Sequence, residues 1–438
     1  MPIICWLHAG KAHSSAVTLG SSGGLGLVKP KILIAATSRW FSTARLAMAL
    51  ADAGCIVDAV CPSRHPLAKT TIVNRNYPYY GLSPMESLTD AITAAKPDLI
   101  VPADDLAARH LHDLHRHARH QGKEGAHTRE LIEKSLGSPE SFPILRERAR
   151  FMDQARQEGI LVPETEVIPD LLALRDYIDR VGFPVVLKAN GTSGGEGVRV
   201  VRTMEEAERA FRALQAPPSL ARAVKRAVMD FDTRLVRPGV LRRGFVVNAQ
   251  AYISGRDATS LVACWKGAVL GGLHFEVLNK QYTDGPASVL RRVENSEMIS
   301  AAEKMVRRLK LSGLYGFDYM VEARTGNPYL IEINPRTTQV AHLTFGPGGD
   351  LPAALFAVAS GCRIQEAPVI TDNPTIALFP QEWARNPASA FLQSGYHDIP
   401  WSEPELIRAC VRKTRTWSNW NPHKKWVRVF SEERLQRP

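Results

Sequence analysis

The segment Asp318-Tyr-Met-Val-Glu322-Ala-Arg-Thr-Gly326-Asn-Pro328-Tyr-Leu-Ile-Glu332-Ile-Asn334-Pro335-Arg336 decides how this chain is read. Gly316 to Glu322 and Tyr329 to Asn334 are rich in aromatic and branched residues. Ala323 to Pro328 between them holds the Gly, Asn and Pro of a turn, so the pattern predicts a two-stranded hairpin. Side chains alternate across a strand, which puts Glu332 and Asn334 on one face and Ile331 and Ile333 on the other. With Glu322 opposite Pro328, counting back sets Asp318 opposite Glu332. Directly opposed residues have β-carbons roughly 4.5–5.5 Å apart, where like charges are unfavourable. A cation between the carboxylates removes the conflict, and Mg²⁺ accepts such oxygen ligands together with substrate phosphates. The alternative is a surface hairpin with solvated acids.

Upstream, Phe183-Pro-Val-Val-Leu-Lys188-Ala-Asn-Gly191-Thr-Ser-Gly194-Gly195-Glu-Gly197-Val-Arg-Val-Val reads as strand, glycine-rich loop, strand. Lys188 ends an apolar run, where a charge needs a partner. The loop offers unobstructed backbone N–H groups, and its glycines permit the dihedrals of an anion cradle. Lysine and loop together form a grip suited to polyphosphate, although no Gly-Lys-Ser/Thr follows as in a Walker A sequence. Taken alone, the loop is equally a mobile turn.

Together these segments resemble the ATP-grasp superfamily, in order and over roughly the middle half of the chain. The resemblance implies the following roles. Arg148 and Lys188 are the first and second basic phosphate contacts. Gly191 to Val198, with Gly194, Gly195 and Gly197, is the phosphate-covering loop. Gln250-Ala-Tyr252-Ile253 is the hinge strand whose backbone meets adenine, and Asp257 the acid that holds the ribose hydroxyls. Asp318, Glu332 and Asn334 are the metal ligands, and Arg336 a further phosphate contact. Two positions depart from the family pattern: Gln250 stands where an acid is common, and Asp257 is shorter than the frequent Glu. Gly285-Pro286-Ala287-Ser288, ahead of a predicted helix, resembles a segment of the carbamoyl-phosphate-synthetase-like branch.

The 438 residues suffice for two to three domains at about 100–200 residues each. At 45% apolar and 23% charged, the composition is that of globular material. No apolar run approaches the roughly 20 residues of a membrane helix. Met1 to Leu7 lacks a basic start and a cleavage site, so no signal peptide is expected. The cysteines Cys5, Cys55, Cys61, Cys264, Cys362 and Cys410 form no CxxC pair, which points to free thiols in a reducing cytosol. The net charge of +11 suits the collection of ATP and a carboxylate, and no nucleic-acid motif accompanies it.

Residues 1–30 read as a flexible lead-in. Their Gly20-Ser-Ser-Gly23-Gly24-Leu-Gly26 precedes the first strand, whereas a dinucleotide fingerprint would follow it. Residues 31–140 alternate strand and helix, which predicts a parallel sheet covered by helices and resembles the Rossmann-like domain that precedes ATP-grasp domains. Asp104-Asp105 follows a strand end, where ligands bind in open sheets, and equally suits a helix N-cap. His110, His112, His115, His117, His120 and His127 allow a zinc site, but the accompanying Arg109, Arg116 and Arg119 favour a solvated helix. Ser141 to Gly159 reads as one helix carrying Arg148. Residues 141–362 form the two-lobed ATP-grasp domain. Residues 363–438 form a small C-terminal extension whose Trp383, Trp401, Trp417, Trp420 and Trp426 suit core packing or a lid more than base stacking.

The expected whole is an α/β protein of ATP-grasp fold and a cytoplasmic ligase. The resemblance implies that ATP, with Mg²⁺ or alternatively Mn²⁺, converts a carboxylate to an acyl phosphate. An amine or similar nucleophile then displaces phosphate, with Lys188 and Arg336 as the catalytic cations. A carbamoyl-phosphate-type enzyme acting on bicarbonate or carbamate is the runner-up, and a nucleotide-binding regulator without turnover is a third reading. The partners are small molecules and, at most, a second copy of the chain; neither nucleic acid nor membrane is expected. Arg291, Arg292 and His342 are candidate contacts to the substrate carboxylate, or else solvated arginines and a packed histidine.

Overall fold

The computed structural model describes residues 29–120, 122–190, 197–217, 219–220, 223–224, 236–241, 244–283, 285–363 and 367–418. The lead-in glycines, Gly194, Gly195, Trp420 and Trp426 lie outside them, and the side chain of Trp417 is not described. No helix among the described residues is long and apolar enough to cross a membrane.

The first sheet contains β1 (Lys31–Ala35), β2 (Ile56–Cys61), β3 (Arg75–Pro78) and β4 (Leu99–Pro102), in the order β3-β2-β1-β4 and parallel throughout. Alternation sends Leu33 and Ala35 to one face, against Leu88, Ile92, Leu111 and Ile132 of three helices. Ile32 and Ile34 face the other way, with Leu46 and Leu50 of helix Phe41–Asp52. That second cluster continues into Leu261, Phe275 and Leu355 of the central part of the chain, so the amino-terminal sheet is cored against the rest of the protein.

An antiparallel sheet of β5 (Thr165–Ile168), β6 (Val185–Ala189), β7 (Val198–Val201) and β8 (Val247–Ala251) has the order β5-β8-β6-β7. Helices Leu171–Val181 and Met204–Gln215 cover its buried face. The largest sheet contains β9 (Gly255–Trp265), β10 (Ala268–Lys280), β11 (Ala287–Arg292), β12 (Gly313–Glu322), β13 (Pro328–Asn334), β14 (Thr375–Leu378) and β15 (Tyr396–Asp398). Their order is β13-β12-β9-β10-β11-β14-β15. The segment after Gly285-Pro286 is therefore a strand, and the next helix begins at Ser296.

The hairpin forms with Asp318 opposite Glu332, but by another route than counting from the turn. Val321, not Glu322, faces Pro328, and a β-bulge between Asp318 and Tyr319 leaves Ile331 as the extra residue that restores the register. A bulge re-aims side chains. Ile331 accordingly lines the same cavity as Glu332 and Asn334, while Ile333 is buried against the core.

Three other expectations change. Ser141 to Gly159 is two helices, Phe142–Arg146 and Arg148–Gln157, because Glu147 takes extended dihedrals (φ −113°, ψ 100°). The break makes Arg148 the first residue of its helix. The histidine segment is not wholly solvated. Helix Asp105–His117 buries His112 and His115 on the face that carries Ala108 and Leu111. His115 pairs with Glu133 at 2.7 Å, and no cluster of three His, Cys, Asp or Glu able to hold a metal occurs among the described residues. The chain beyond Arg363 does not stand apart, since β14 and β15 extend the largest sheet. Helix Pro404–Ser418 places Leu406 and Ile407 against Phe41, Met48, Phe379 and Trp383. Trp383 is core, while Trp401 is exposed.

The carboxyl-terminal strands are latched by Asp398 of β15, which pairs with Arg45 and accepts from His342 Nε2 at 2.6 Å, all three buried. Burial opposes charge on Asp398, but His342 and Arg45 outweigh it and hold the carboxyl well below its usual range. His342 is thus a packed residue, and it is not among those lining the main cavity. Asp398→Ala leaves Arg45 as an uncompensated buried charge, and a loss of about 3–5 kcal/mol in denaturant unfolding is expected. A loss near zero would remove the latch. The depressed carboxyl contributes stability above its unfolded value of about 3.9, which is lost as pH falls through the folded value.

Candidate active site

A cavity of about 450 Å³ opens between the four-stranded antiparallel sheet, the seven-stranded sheet and the ends of β1 and β4. Lys188 reaches it because it alternates with Leu187 and Ala189, which face the core of the smaller sheet, and shares Val186's outward side. The same period brings Asp257 and Thr259 to the cavity on β9, and Asp318 and Met320 on β12. Between β8 and β9 the chain leaves the ladder at Ala251, and Tyr252 and Ile253 run along the cavity wall.

The acidic floor is held from several elements. Asp318 accepts from Thr259 Oγ1 at 2.9 Å and from Asn334 Nδ2 at 2.8 Å. Burial, and next the neighbouring Glu332, push its carboxyl above the ordinary range against those hydrogen bonds and Arg336. Glu332 receives Arg148 Nη2 at 2.6 Å, across 184 residues of sequence, and keeps 36% of its side-chain surface open to the cavity. Burial disfavours its charge, yet Arg148 and Lys188 outweigh that and hold it below the ordinary range. Arg336 bridges Asp105 at 3.0 Å and Asn334 Oδ1 at 3.1 Å, tying β13 to the helix that follows β4. Asp104 is the helix N-cap, accepting from Ala107 N at 3.0 Å and also from Thr37 and Ser38.

Lys188 is 6% exposed. Burial, then Arg148, lower its pKa to about 8, against the pull of Glu332, Asp318 and Asp257. Gln250 is buried with its amide on Thr165 Oγ1 at 3.0 Å, so its side chain is engaged with β5 while its strand lines the cavity. Asp257 pairs with Lys280 at 2.7 Å. Gly197 accepts Ala189 N at 2.9 Å and closes the described end of the glycine-rich loop. Arg291 and Arg292 lie outside the cavity; Arg291 pairs with Glu276, and Arg292 covers the Phe345 ring at 4.7 Å.

The cavity lining carries Arg148, Lys188, Lys280 and Arg336 against Asp104, Asp105, Asp257, Asp318 and Glu332. Among the described lining residues negative charge exceeds positive, so a bare polyanion is disfavoured there and a divalent cation reverses the balance. Two carboxylates and an amide, all oxygen donors, suit Mg²⁺ better than zinc, which takes nitrogen and sulfur. Asp105, Thr259, Lys280, Ser38 and Trp40 also belong to the site. Of these only Asp105 had a sequence signal, its place after a strand; the others are recruited by strand pairing and domain docking.

A profile described as the carbamoyl-phosphate synthase L chain ATP-binding domain matches residues 147–229, and one described as the ATP-grasp domain matches residues 233–340. The carbamoyl phosphate synthase large chain of Thermus thermophilus is 25% identical over 240 residues, 53% of this chain and 21% of that protein. The acetyl-CoA carboxylase of Dictyostelium discoideum is 28% identical over 203 residues, 45% of this chain and 8% of that protein. The chain thus spans about a fifth or less of these relatives. Among solved structures, N5-carboxyaminoimidazole synthase from Aspergillus clavatus, in complex with ADP and an aminoimidazole ribonucleotide, superposes with TM-score 0.55 at 13% identity, covering 77% of this chain and 78% of that one. Biotin carboxylase from Campylobacter jejuni, an ATP complex, gives 0.54 at 16% identity, with 80% and 75% covered. At such identities these structures speak for the fold alone. Residues 147–229 and 233–340 thus match ATP-grasp-type profiles, and the fold of the chain is that of the ATP-grasp enzymes on which it superposes.

Proposed function

We propose that the chain is an ATP-dependent, ADP-forming ligase that phosphorylates a carboxylate and passes the acyl group to an amine or similar nucleophile. The observation that carries this reading is the convergence of Arg148, Lys188 and Arg336 with Asp318, Glu332 and Asn334 around one cavity. A carboxylate oxygen leaves poorly until phosphorylated, and bringing it to a polyphosphate opposes two anions. Lys188, Arg148 and Arg336 supply fixed positive charge for that encounter. Asp318, Glu332 and Asn334 would hold Mg²⁺, or Mn²⁺, which when bound offsets phosphate charge as a Lewis acid. Tyr252 and Ile253 present backbone to the adenine, Asp257 meets the ribose, and the loop around Gly194, Gly195 and Gly197 covers the phosphates and excludes water. A cytosolic location and action on small molecules accompany this reading.

The synthase match over residues 147–229 favours bicarbonate as a second candidate acceptor. ADP release should be screened against pools of carboxylates, against bicarbonate, and against each with amines added, with mass analysis of products. ADP formed only with a carboxylate supports the ligase, and ADP formed with bicarbonate alone supports the second candidate. Nucleotide binding without ADP release under any acceptor would leave a regulator.

The depressed Lys188 adds a pH dependence. Charge on Lys188 is lost as pH rises through about 8, so its attraction for phosphate declines there. Affinity for ATP should weaken by up to about tenfold per pH unit above that value. Calorimetry on wild type and Lys188→Met checks this, the variant being expected to show a flat profile over the same interval. Equal slopes would detach the effect from Lys188.

A further inference from the structure

A second cavity, of about 80 Å³, shares Asp105, Arg148 and Glu332 with the main one and is otherwise bounded in part by Arg109, His112, Arg146 and Asn190. At about 30 Å³ per water it holds two or three, which is room for a carboxylate or phosphate group but not for a nucleotide.

Cations outnumber anions among its described lining residues. Arg109, Arg146 and Arg148 face Asp105 and Glu332, and both acids are already held, by Arg336 at 3.0 Å and Arg148 at 2.6 Å. Arg146 is fixed by Asp113 at 2.8 Å and by the carbonyl of Arg109 at 2.8 Å, so it cannot swing away without losing both. His112 is 3% exposed and stacks on Phe142 with centroids 4.0 Å apart. Neither of its ring nitrogens has a partner among the described residues. A buried polar group in that state calls for a ligand or water. Burial, then Arg146, His115, Arg109 and Arg116, hold the ring neutral, so one N–H remains to donate. The same cations that disfavour a proton on His112 favour an anion beside it.

We propose that this cavity is a subsite for a compact oxyanion, bound by Arg109, Arg146 and the N–H of His112. It adjoins Glu332 and Asn190, the latter leading into the glycine-rich loop. On the ligase reading it therefore flanks the phosphoryl-transfer position, and the oxyanion is either the acceptor carboxylate or the orthophosphate released. Only the anion's identity rests on that reading; the subsite rests on the cavity.

The test uses the full chain saturated with Mg²⁺ and a non-hydrolysable ATP analogue, so that the main cavity is filled. Orthophosphate, acetate and bicarbonate are titrated by calorimetry. At least one should bind, and Arg109→Gln should weaken it by about tenfold or more, the scale of one charged hydrogen bond. His112→Phe keeps an aromatic ring on Phe142 and removes the N–H; it should weaken binding without lowering the unfolding midpoint, which covers the case of Arg109→Gln failing to fold. Orthophosphate alone binding marks a product site, and acetate or bicarbonate binding marks an acceptor site. Absence of any anion binding to wild type, or unchanged affinity in His112→Phe and in folded Arg109→Gln, overturns the subsite. ADP release with no anion binding overturns the subsite and spares the ligase, whereas anion binding with no ADP release under any acceptor does the reverse.

Discussion

Glu332→Gln is expected to abolish ADP release while weakening, but not eliminating, nucleotide binding. The substitution keeps the shape of the side chain and removes one charge from the pair of carboxylates proposed to hold Mg²⁺. It also breaks the ion pair with Arg148, freeing a guanidinium that Glu332 now holds at 2.6 Å. The proposed adenine hinge at Gln250 to Ile253 and the proposed ribose contact at Asp257 lie on β8, on β9 and on the connection between them, away from Glu332, so part of the affinity should persist. Chemistry fails because a cation acts most strongly where phosphoryl charge is redistributed in the transition state. Calorimetry and ADP release measured in parallel check this. Full activity in the variant removes Glu332 from the mechanism. Loss of folding together with binding makes it a structural residue.

The second large effect concerns Lys188→Ala, for which turnover should fall by about 10²-fold or more, the cost of losing one preorganised electrostatic contact. Lys188 stands on the cavity side of β6, so truncation enlarges an existing cavity and does not hollow the core formed by Leu187 and its neighbours. The fold should persist, as circular dichroism and the unfolding midpoint would show. Removing this cation also leaves Asp318 and Glu332 with less positive charge nearby, since both attract it. Nucleotide binding should therefore depend more steeply on Mg²⁺ in the variant. Unchanged ATP-dependent turnover would dismiss Lys188 from catalysis.

Local pattern carried a good part of the architecture. Alternation of strand and helix from Lys31 was enough for a parallel sheet, because strands buried on both faces and amphipathic helices are written into short stretches of sequence. The same holds for the hairpin and for the Asp104 cap. The Asp318–Glu332 pairing came out of the turn and the two-residue period, yet the counting was off by one at Pro328 and was compensated by the bulge at Ile331. A bulge adds a residue without any local composition to mark it, so its position is settled only when β12 is held by β9 on its other edge. His112 and His115 show the complementary case. Their spacing allowed 112 and 115 to share a helix face, but the arginines around them suggested solvent, and only Phe142 and Glu133 from later helices decide that this face is buried.

What the sequence by itself determined is the order of the elements, the ATP-grasp pattern and which residue types reach toward one another along each strand. These follow from interactions a few residues long: turn chemistry, alternation and the apolar periods of helices. Only the tertiary structure decided that Arg148 meets Glu332, that Arg336 is anchored on Asp105 across 231 residues, and that Asp398 closes the largest sheet against Arg45 and His342. It also decided that β14 and β15 belong to the same sheet as the candidate metal site. Such pairings depend on how separately formed layers dock. Docking is driven by burial of apolar surface, which has no direction of its own, and charged partners are then brought together by the fit of the layers.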